Sequence, residues 1–326
     1  MNKRSRKILC ELDENARSNL SNISKSCRTS QQMVSYTIKQ LLKKNIILGF
    51  STVFDYSRFD LNSYIVLFRL FYKNKKDFNN FINYLKHTPE VSKVEILDGK
   101  WDVYAMFLAP NPSYFNKMLH KIKADNVNLI RNDMIITTVV TYLFTRNYLR
   151  DYKKTDKKYV IVGGDREITG LTDNQQSVCK FLLEKPLARI KDISKKTGMS
   201  FLTITNAIKI LSKIGVIRGF KPVINFENAE IICKKLLIKY QGGPVFEQKI
   251  VSYCRQHMNV IDIVKSFGEW DLIVTVETTK KGVFNNFLIG LRELYEDIIS
   301  DFEIVDVLKT EALRYLPKNH FDEESE

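Results

Sequence analysis

The sequence predicts an α+β chain in which two winged-helix-like helix-turn-helix domains and two ferredoxin-like βαββαβ domains stand in tandem. Three observations lead there. Ile8 to Phe50 lies on Val178 to Phe220 without a gap at a constant offset of 170, and Asp98-Gly99-Lys100-Trp101-Asp102-Val103 lies on Phe267-Gly268-Glu269-Trp270-Asp271-Leu272 at an offset of 169. Each copy opens with three short helical patterns separated by turn residues. Each then alternates strand and helix in the order βαββαβ. One deletion in such a span is what a duplicated module looks like.

The first copy justifies the elements in turn. Residues 5–14 place Ile8, Leu9 and Leu12 at helical spacing, Leu20 to Cys27 form a short second helix, and Ser30 N-caps a third that runs to about Lys44. In that third helix Val34, Ile38 and Leu41 face a core, which leaves Gln31, Gln32, Ser35, Tyr36 and Lys39 projecting outward. Ile46 to Phe54 reads as a strand leaving the helical unit. Tyr64–Tyr72, Val91–Leu97, Trp101–Leu108 and Ile135–Phe144 read as strands, with helices over Lys75–His87 and Ser113–Lys123. Such a sheet packs one face under its two helices and leaves the other to be covered. The second copy repeats the pattern with strands Lys234–Tyr240, Val260–Ser266, Trp270–Thr278 and Ile298–Leu308 and helices Phe246–His257 and Gly282–Tyr295. The expected domains are 1–54, 60–145, 171–224 and 230–316, with a polar, Lys-rich linker at 146–170 and an acidic tail at 317–326.

Repeated positions outside the core bear on function. Ser24/Ser194, Lys25/Lys195, Ser30/Ser200, Lys39/Lys209 and Gly49-Phe50/Gly219-Phe220 match, as do the apolar pairs Leu12/Leu182, Ile23/Ile193 and Leu41/Leu211. The formal charge of +14 is localised: residues 1–50 hold ten Lys/Arg against three Asp/Glu, residues 171–220 nine against three, and residues 230–326 twelve against seventeen. Two basic segments sit where the reading helices fall, a pattern that suits polyanions because phosphate contacts release counterions. A face of amides, hydroxyls and lysines suits base edges and phosphates. The same face on an isolated helix would be ordinary solvated surface; the short preceding helix, the charge and the repeat favour double-stranded DNA.

Other classes find little support. With 44% hydrophobic and 27% charged residues the 326-residue chain is expected to fold throughout, as several domains. The basic start, Met1-Asn2-Lys3-Arg4, runs into Ile8-Leu9-Cys10-Glu11 rather than an apolar core, and no apolar run is long enough for a membrane span, so a cytoplasmic protein with no membrane contact is expected. Cys10, Cys27, Cys179, Cys233 and Cys254 are scattered, so no metal or cofactor is expected. No GxGxxG, P-loop, HExxH or GxSxG motif is present.

The run from Ile8 through Ser30, Leu41, Ile47 and Gly49 resembles the helix-turn-helix of the Lrp/AsnC (feast/famine) transcription regulators, and the βαββαβ unit with its Gly-x-x-Asp turn resembles their amino-acid-sensing RAM domain. The resemblance covers nearly the whole chain twice. It implies RAM–RAM pairing, within the chain or as a homo-oligomer, and a small effector such as an amino acid near Gly99, Asp102, Gly268 and Asp271. Those turns also read as plain hairpins, glycine supplying positive φ and aspartate capping the turn, with Trp101 and Trp270 filling an interface. The residues expected on DNA are Arg28, Ser30, Gln31, Gln32, Ser35, Tyr36, Lys39 and Lys43, then Ser200, Thr203, Thr205, Asn206, Lys209 and Lys213.

Departures qualify that picture. Thr37 and Ala207 stand where the family usually places an arginine, and Arg28 stands where Gly198 fits the turn before the reading helix. Phe201 and Leu202 replace Gln31 and Gln32, so the second helix either packs Phe201 on thymine methyls or has drifted to another role. Siroheme decarboxylases resemble the same paired layout and would need histidine and arginine near a tetrapyrrole carboxylate. Of the four histidines, His87 and His257 end equivalent helices as surface C-caps, and His120 and His320 fall in no motif. A third reading is an interaction scaffold whose helix-turn-helix units are degenerate.

Overall fold

A computed structural model describes residues 1–150 and 158–322. The first helical unit comprises α1 (Lys3–Glu14), α2 (Leu20–Cys27) and α3 (Gln31–Lys43), followed by β1 (Ile47–Phe54). The first sheet domain contains β2 (Asn62–Leu70), α4 (Lys75–His87), β3 (Val91–Asp98), β4 (Val103–Ala109), α5 (Pro112–Asp125) and β5 (Ile130–Phe144). After β6 (Tyr159–Gly163) come α6 (Asp173–Glu184), α7 (Ile190–Thr197), α8 (Phe201–Lys213) and β7 (Ile217–Ile224). A one-turn helix α9 (Phe226–Ala229) leads into β8 (Ile232–Tyr240), α10 (Pro244–Gln256), β9 (Val260–Gly268), β10 (Leu272–Thr278), α11 (Val283–Tyr295) and β11 (Ile299–Leu313).

Each βαββαβ unit buries one face under its own helices. Phe81, Ile82 and Leu85 of α4 and Phe115, Leu119 and Ile122 of α5 pack on Val66, Phe68, Val94, Val103 and Phe107. In the second unit Ile250 and Cys254 of α10 and Phe284, Phe287 and Leu291 of α11 cover Leu236, Ile238, Leu272 and Val274. The opposite faces meet each other. Ile65, Leu67, Leu97 and Tyr104 share one cluster with Leu237, Val264, Ile273, Val305 and Val307, and Trp101 and Trp270 lie in it with indole Nε1 atoms unpartnered. The face left open by the pattern is therefore covered by the other copy within the same chain.

Two long strands join the copies. β5 was expected from Ile135 and β11 as far as Leu308; the observed strands begin at Ile130 and end at Leu313. The first part of β5 pairs with β2 of its own unit and the last part with β9, while β11 pairs first with β8 and then with β3. The strand order β2-β4-β3-β11-β8-β10-β9-β5 closes on itself through the β2–β5 pairing. Backbone groups that would form four exposed edges in separate modules are thereby satisfied.

The linker and the tail both need correcting. Within the expected linker, β6 pairs with β5 from Val140↔Gly163 to Phe144↔Tyr159, because Tyr159-Val160-Ile161-Val162 is a β-branched run that buries Val162. Residues 151–157 of that linker lie outside the described residues. In the expected tail, Lys318 N–H donates to the Pro89 carbonyl, His320 and Phe321 pack edge-on to Phe59, and Lys180 pairs with Asp322. Burial holds the His320 imidazole down to about 4. His257 occupies the cap position of α10, whereas His87 is the last residue of α4, its Nδ1 2.7 Å from the Asn83 carbonyl.

The two helical units are tied by a ribbon. β1 and β7 pair antiparallel with Ser51 opposite Lys221, and the ribbon ends in two equivalent bonds, Asp55 N–H to the Val216 carbonyl and Asn225 N–H to the Ile46 carbonyl. Beside it, Arg146 donates to Asp13 (2.5 Å) and to both carboxylate oxygens of Glu277 (2.7 and 2.9 Å), Tyr148 donates to Glu277 (2.6 Å), and Lys221 reaches Asp13 (3.2 Å). Asp13 and Glu277 are 0% exposed. This junction therefore joins the first helical unit, β7 and both sheet domains. Burial alone would raise the Asp13 carboxyl, but Lys221 and Arg146 hold it below its ordinary value of 3.8.

Two outcomes follow. Arg146→Ala leaves two carboxylates buried without their partner and lowers unfolding stability by about 3–5 kcal/mol, read by urea denaturation. A carboxyl depressed on folding stabilises above its unfolded pKa and loses that contribution as pH falls through its folded value. Stability is thus expected to hold above the ordinary carboxylate range and fall below about pH 4, with a shallower fall in Asp13→Asn.

Candidate nucleic-acid interface

The geometry of each reading helix starts with its cap. Ser30 and Ser200 lie in extended backbone at the N-caps of α3 and α8, and their hydroxyl oxygens accept from Met33 N–H (3.2 Å) and Thr203 N–H (3.1 Å). Val34 and Leu41, and their counterparts Ile204 and Leu211, point into the helical cores. Gln31, Gln32, Lys39 and Lys43 are exposed, Tyr36 is 59% exposed, and Ser35 is half-buried. In α8 Thr205, Asn206, Lys209 and Lys213 are exposed and Thr203 is half-buried. Neither helix carries an acidic residue. The field at both surfaces is set by lysine and by the helix N-terminus.

The units differ in what they offer. Gln31 and Gln32 open α3, whereas α8 opens with Phe201 at 57% and Leu202 at 70% exposure. The Thr203 hydroxyl lies 2.9 Å from that of Ser200, and the Thr205 hydroxyl donates to the Phe201 carbonyl at 2.7 Å, so its hydrogen is already used. Thr37 and Ala207 are buried, and the Thr37 hydroxyl donates to the Met33 carbonyl. A side chain at either position faces the core, so any phosphate contact must come from neighbouring turns.

Arg28 ends α2 in the left-handed region at φ 52°, as Gly198 ends α7 at φ 74°. A non-glycine residue there costs about 1 kcal/mol. Its side chain is exposed and lines a cleft with Lys7 and Glu11 of α1 and with Arg150. Lys44 next to α3 and Lys191 and Lys196 on α7 are exposed as well, and in the sequence only the Lys25/Lys195 match hinted at them.

The Gly-x-x-Asp turns are built as hairpins. Gly99 and Gly268 have φ of 123° and 121°. Asp102 accepts from Leu70 N–H at 2.7 Å, and Asp271 accepts from Tyr240 N–H at 3.1 Å and Lys239 at 3.0 Å. Both carboxylates fasten the turn to the end of a neighbouring strand. Among the described residues, no group of three or more His, Cys, Asp and Glu could hold a metal ion, and no helix is long and apolar enough to cross a membrane.

Arg28→Gly relieves the backbone and is expected to raise the unfolding midpoint slightly, by less than about 1 kcal/mol once the added chain entropy is counted. Thermal denaturation reads it; a lower midpoint contradicts the assigned strain.

Residues 1–47 match the family model described as winged helix-turn-helix DNA-binding. The chain is 29% identical over 119 residues to the HTH-type transcriptional regulator FL11 of Pyrococcus furiosus, a span covering 36% of this chain and 78% of that protein. An uncharacterized HTH-type transcriptional regulator of Pyrococcus abyssi is 28% identical over 123 residues, 37% of this chain and 82% of its own length. The crystal structure of the siroheme decarboxylase NirDL superposes with a TM-score of 0.59 at 13% identity, over 98% of this chain and 96% of that one. At that identity the likeness concerns the fold, here the entire tandem arrangement. The first helical unit thus matches a winged helix-turn-helix DNA-binding model, and the helix-turn-helix and βαββαβ module is present twice in one polypeptide.

Proposed function

We propose that the chain is a transcription regulator that binds double-stranded DNA sequence-specifically through α3 and α8. The observation that carries this reading is α3 itself, a capped, acid-free helix with Gln31, Gln32, Tyr36, Lys39 and Lys43 at its surface. Glutamine at the start of a reading helix suits adenine N6 and N7, and lysines about two and three turns on suit phosphates. Arg28 and Ser30 stand at the entrance to the same surface. In the second head Ser200, Thr203, Thr205, Asn206, Lys209 and Lys213 supply the polar contacts and Phe201 a surface for thymine methyls. Because the heads differ, the preferred site has unlike half-sites.

Gln32→Ala with Lys39→Ala is expected to weaken specific binding by roughly 1–3 kcal/mol and to reduce the salt slope by about one, with the unfolding midpoint unchanged. Footprinting across a salt series checks this. An unaltered footprint contradicts the assignment.

The proposal extends to a small effector such as an amino acid at the Gly99–Asp102 and Gly268–Asp271 turns. It is supported by open space over Gly99, where a Cβ would meet nothing within 4 Å. A thermal-shift screen of the amino acids tests it; no shift with any of them removes the effector.

The whole-chain likeness to NirDL favours a second reading, a tetrapyrrole-acting enzyme. Two cavities among the sheets measure about 60 and 40 Å³, larger clefts of about 380 and 840 Å³ lie beside α1 and between α6 and α7, and no histidine lines any of these. A ligand of tetrapyrrole size needs roughly 300–1,000 Å³, which rules out the two cavities by size, and the clefts lack the histidine such an enzyme would need. Added siroheme is therefore expected to keep its free absorption spectrum in the presence of the protein, and a shifted spectrum would favour the enzyme.

A further inference from the structure

The two modules repeat the same elements in the same order, yet the charged residues buried where they meet are not duplicated. Among the described residues, four crossing ion pairs each have a fully buried member, Asp13 to Lys221 (3.2 Å), Arg146 to Glu277 (2.7 Å), Glu95 to Lys235 (3.1 Å) and Asp55 to Arg218 (2.9 Å), while Lys86 to Glu311 and Lys100 to Glu303 cross nearer the surface. Asp13, Asp55, Glu95, Lys235 and Glu277 are each at most 2% exposed. The equivalent positions in the other copy are uncharged. Offsets of 170 and 169 place Leu183 at Asp13, Ser51 at Lys221, Leu108 at Glu277, Val264 at Glu95, Ile65 at Lys235, Asn225 at Asp55 and Leu48 at Arg218. Strand pairing of Leu143 with Asp262 and of Leu313 with Lys93 places Leu316 at Arg146. The second junction is accordingly apolar, with Leu108, Leu182 and Leu316 in one buried cluster against which Leu183 packs.

This asymmetry bears on which partner each face accepts. If two first modules paired, Asp13 would face Ser51, Arg146 would face Leu108, Glu95 would face Ile65 and Asp55 would face Leu48. If two second modules paired, Lys221 would face Leu183, Glu277 would face Leu316, Lys235 would face Val264 and Arg218 would face Asn225. Each of the four pairs is lost either way, and each loss takes a partner from a buried charge. Removing one partner of a buried pair costs far more than the intact pair contributes. Apolar packing discriminates less, since both inner faces repeat the same strand order and share one buried apolar cluster.

We propose that the four crossing pairs are a partner code: each module's inner face accepts only a module of the other kind, so the chain closes on itself and like modules of two chains do not pair. Lys93 and Arg146 remain beside Glu95 and Asp13 in any arrangement, so the code rests on the crossing contacts rather than on total charge. It follows that one chain carries one α3 and one α8 in each DNA-binding unit, whether or not both heads read bases.

The test uses full-length chains and reads mass by light scattering and melting temperature, so it stands apart from any result on DNA. Glu95→Lys and Lys235→Glu each set like charges against each other and are expected to melt well below the parent. Glu95→Lys with Lys235→Glu in one chain restores opposite charges across the seam, although Lys93 and Asp262 then each face a like charge, and is expected to recover part of the loss as a single-chain particle. A mixture of the two single variants, refolded together, is expected to form two-chain particles in which modules are exchanged, at a level about tenfold or more above either variant refolded alone. A reversed double variant that melts no higher than the single variants overturns the proposal. So does a co-refolded mixture that stays a blend of single-chain particles.

Discussion

The Arg146 guanidinium, clamped between Asp13 and Glu277, is the contact on which the rest of the arrangement depends. Asp13 belongs to the first helix, Arg146 to the segment after β5, Glu277 to β10 and Lys221 to the ribbon, so elements far apart in sequence are fixed at one point. Leaving any member unpaired in the interior is costly, and the geometry satisfies all of them: the carboxylates take bonds from the guanidinium, the Tyr148 hydroxyl and the Lys221 ammonium. A clamp of this kind contributes less through its own strength than through the arrangements it forbids.

Beside that clamp the two helical units are joined. The β1–β7 ribbon takes one strand from each helical unit, and the Thr52 hydroxyl of the first donates to the Leu182 carbonyl of the second, so the two units are tied to each other. Below the ribbon the closed sheet supplies a rigid base with no free edge between modules. What a symmetric dimer achieves with two identical chains is done here by unequal halves. Release from identity is what allows α8 to open with Phe201 and Leu202 while α3 keeps Gln31 and Gln32.

Much of this was legible because it is local. The apolar spacing in α3, the Ser30 and Ser200 caps, the glycine turns and the βαββαβ order are all set within a few residues, and duplication supplied each signal twice. The ends of β5 and β11 were not legible: Arg131-Asn132-Asp133 and Lys309-Thr310-Glu311 look like loop, and they become strand only because another strand lies beside them. Tyr159–Gly163 was hidden by the lysine-rich stretch preceding it. The buried charges were the deepest omission, since their partners are more than 130 residues away. A signal did exist in the repeat, where Asp13 lies on Leu183 and Glu277 on Leu108; a charge replacing a duplicated leucine marks a position worth pairing.

The symmetry of the DNA that the chain selects tests the central claim most directly. Random duplexes enriched on the purified full-length protein and sequenced are expected to yield one site with two unlike halves, spaced by about one helical turn or a multiple of it. Enrichment of a perfect palindrome, or of no site at all, would contradict a regulator whose single chain presents two different reading helices.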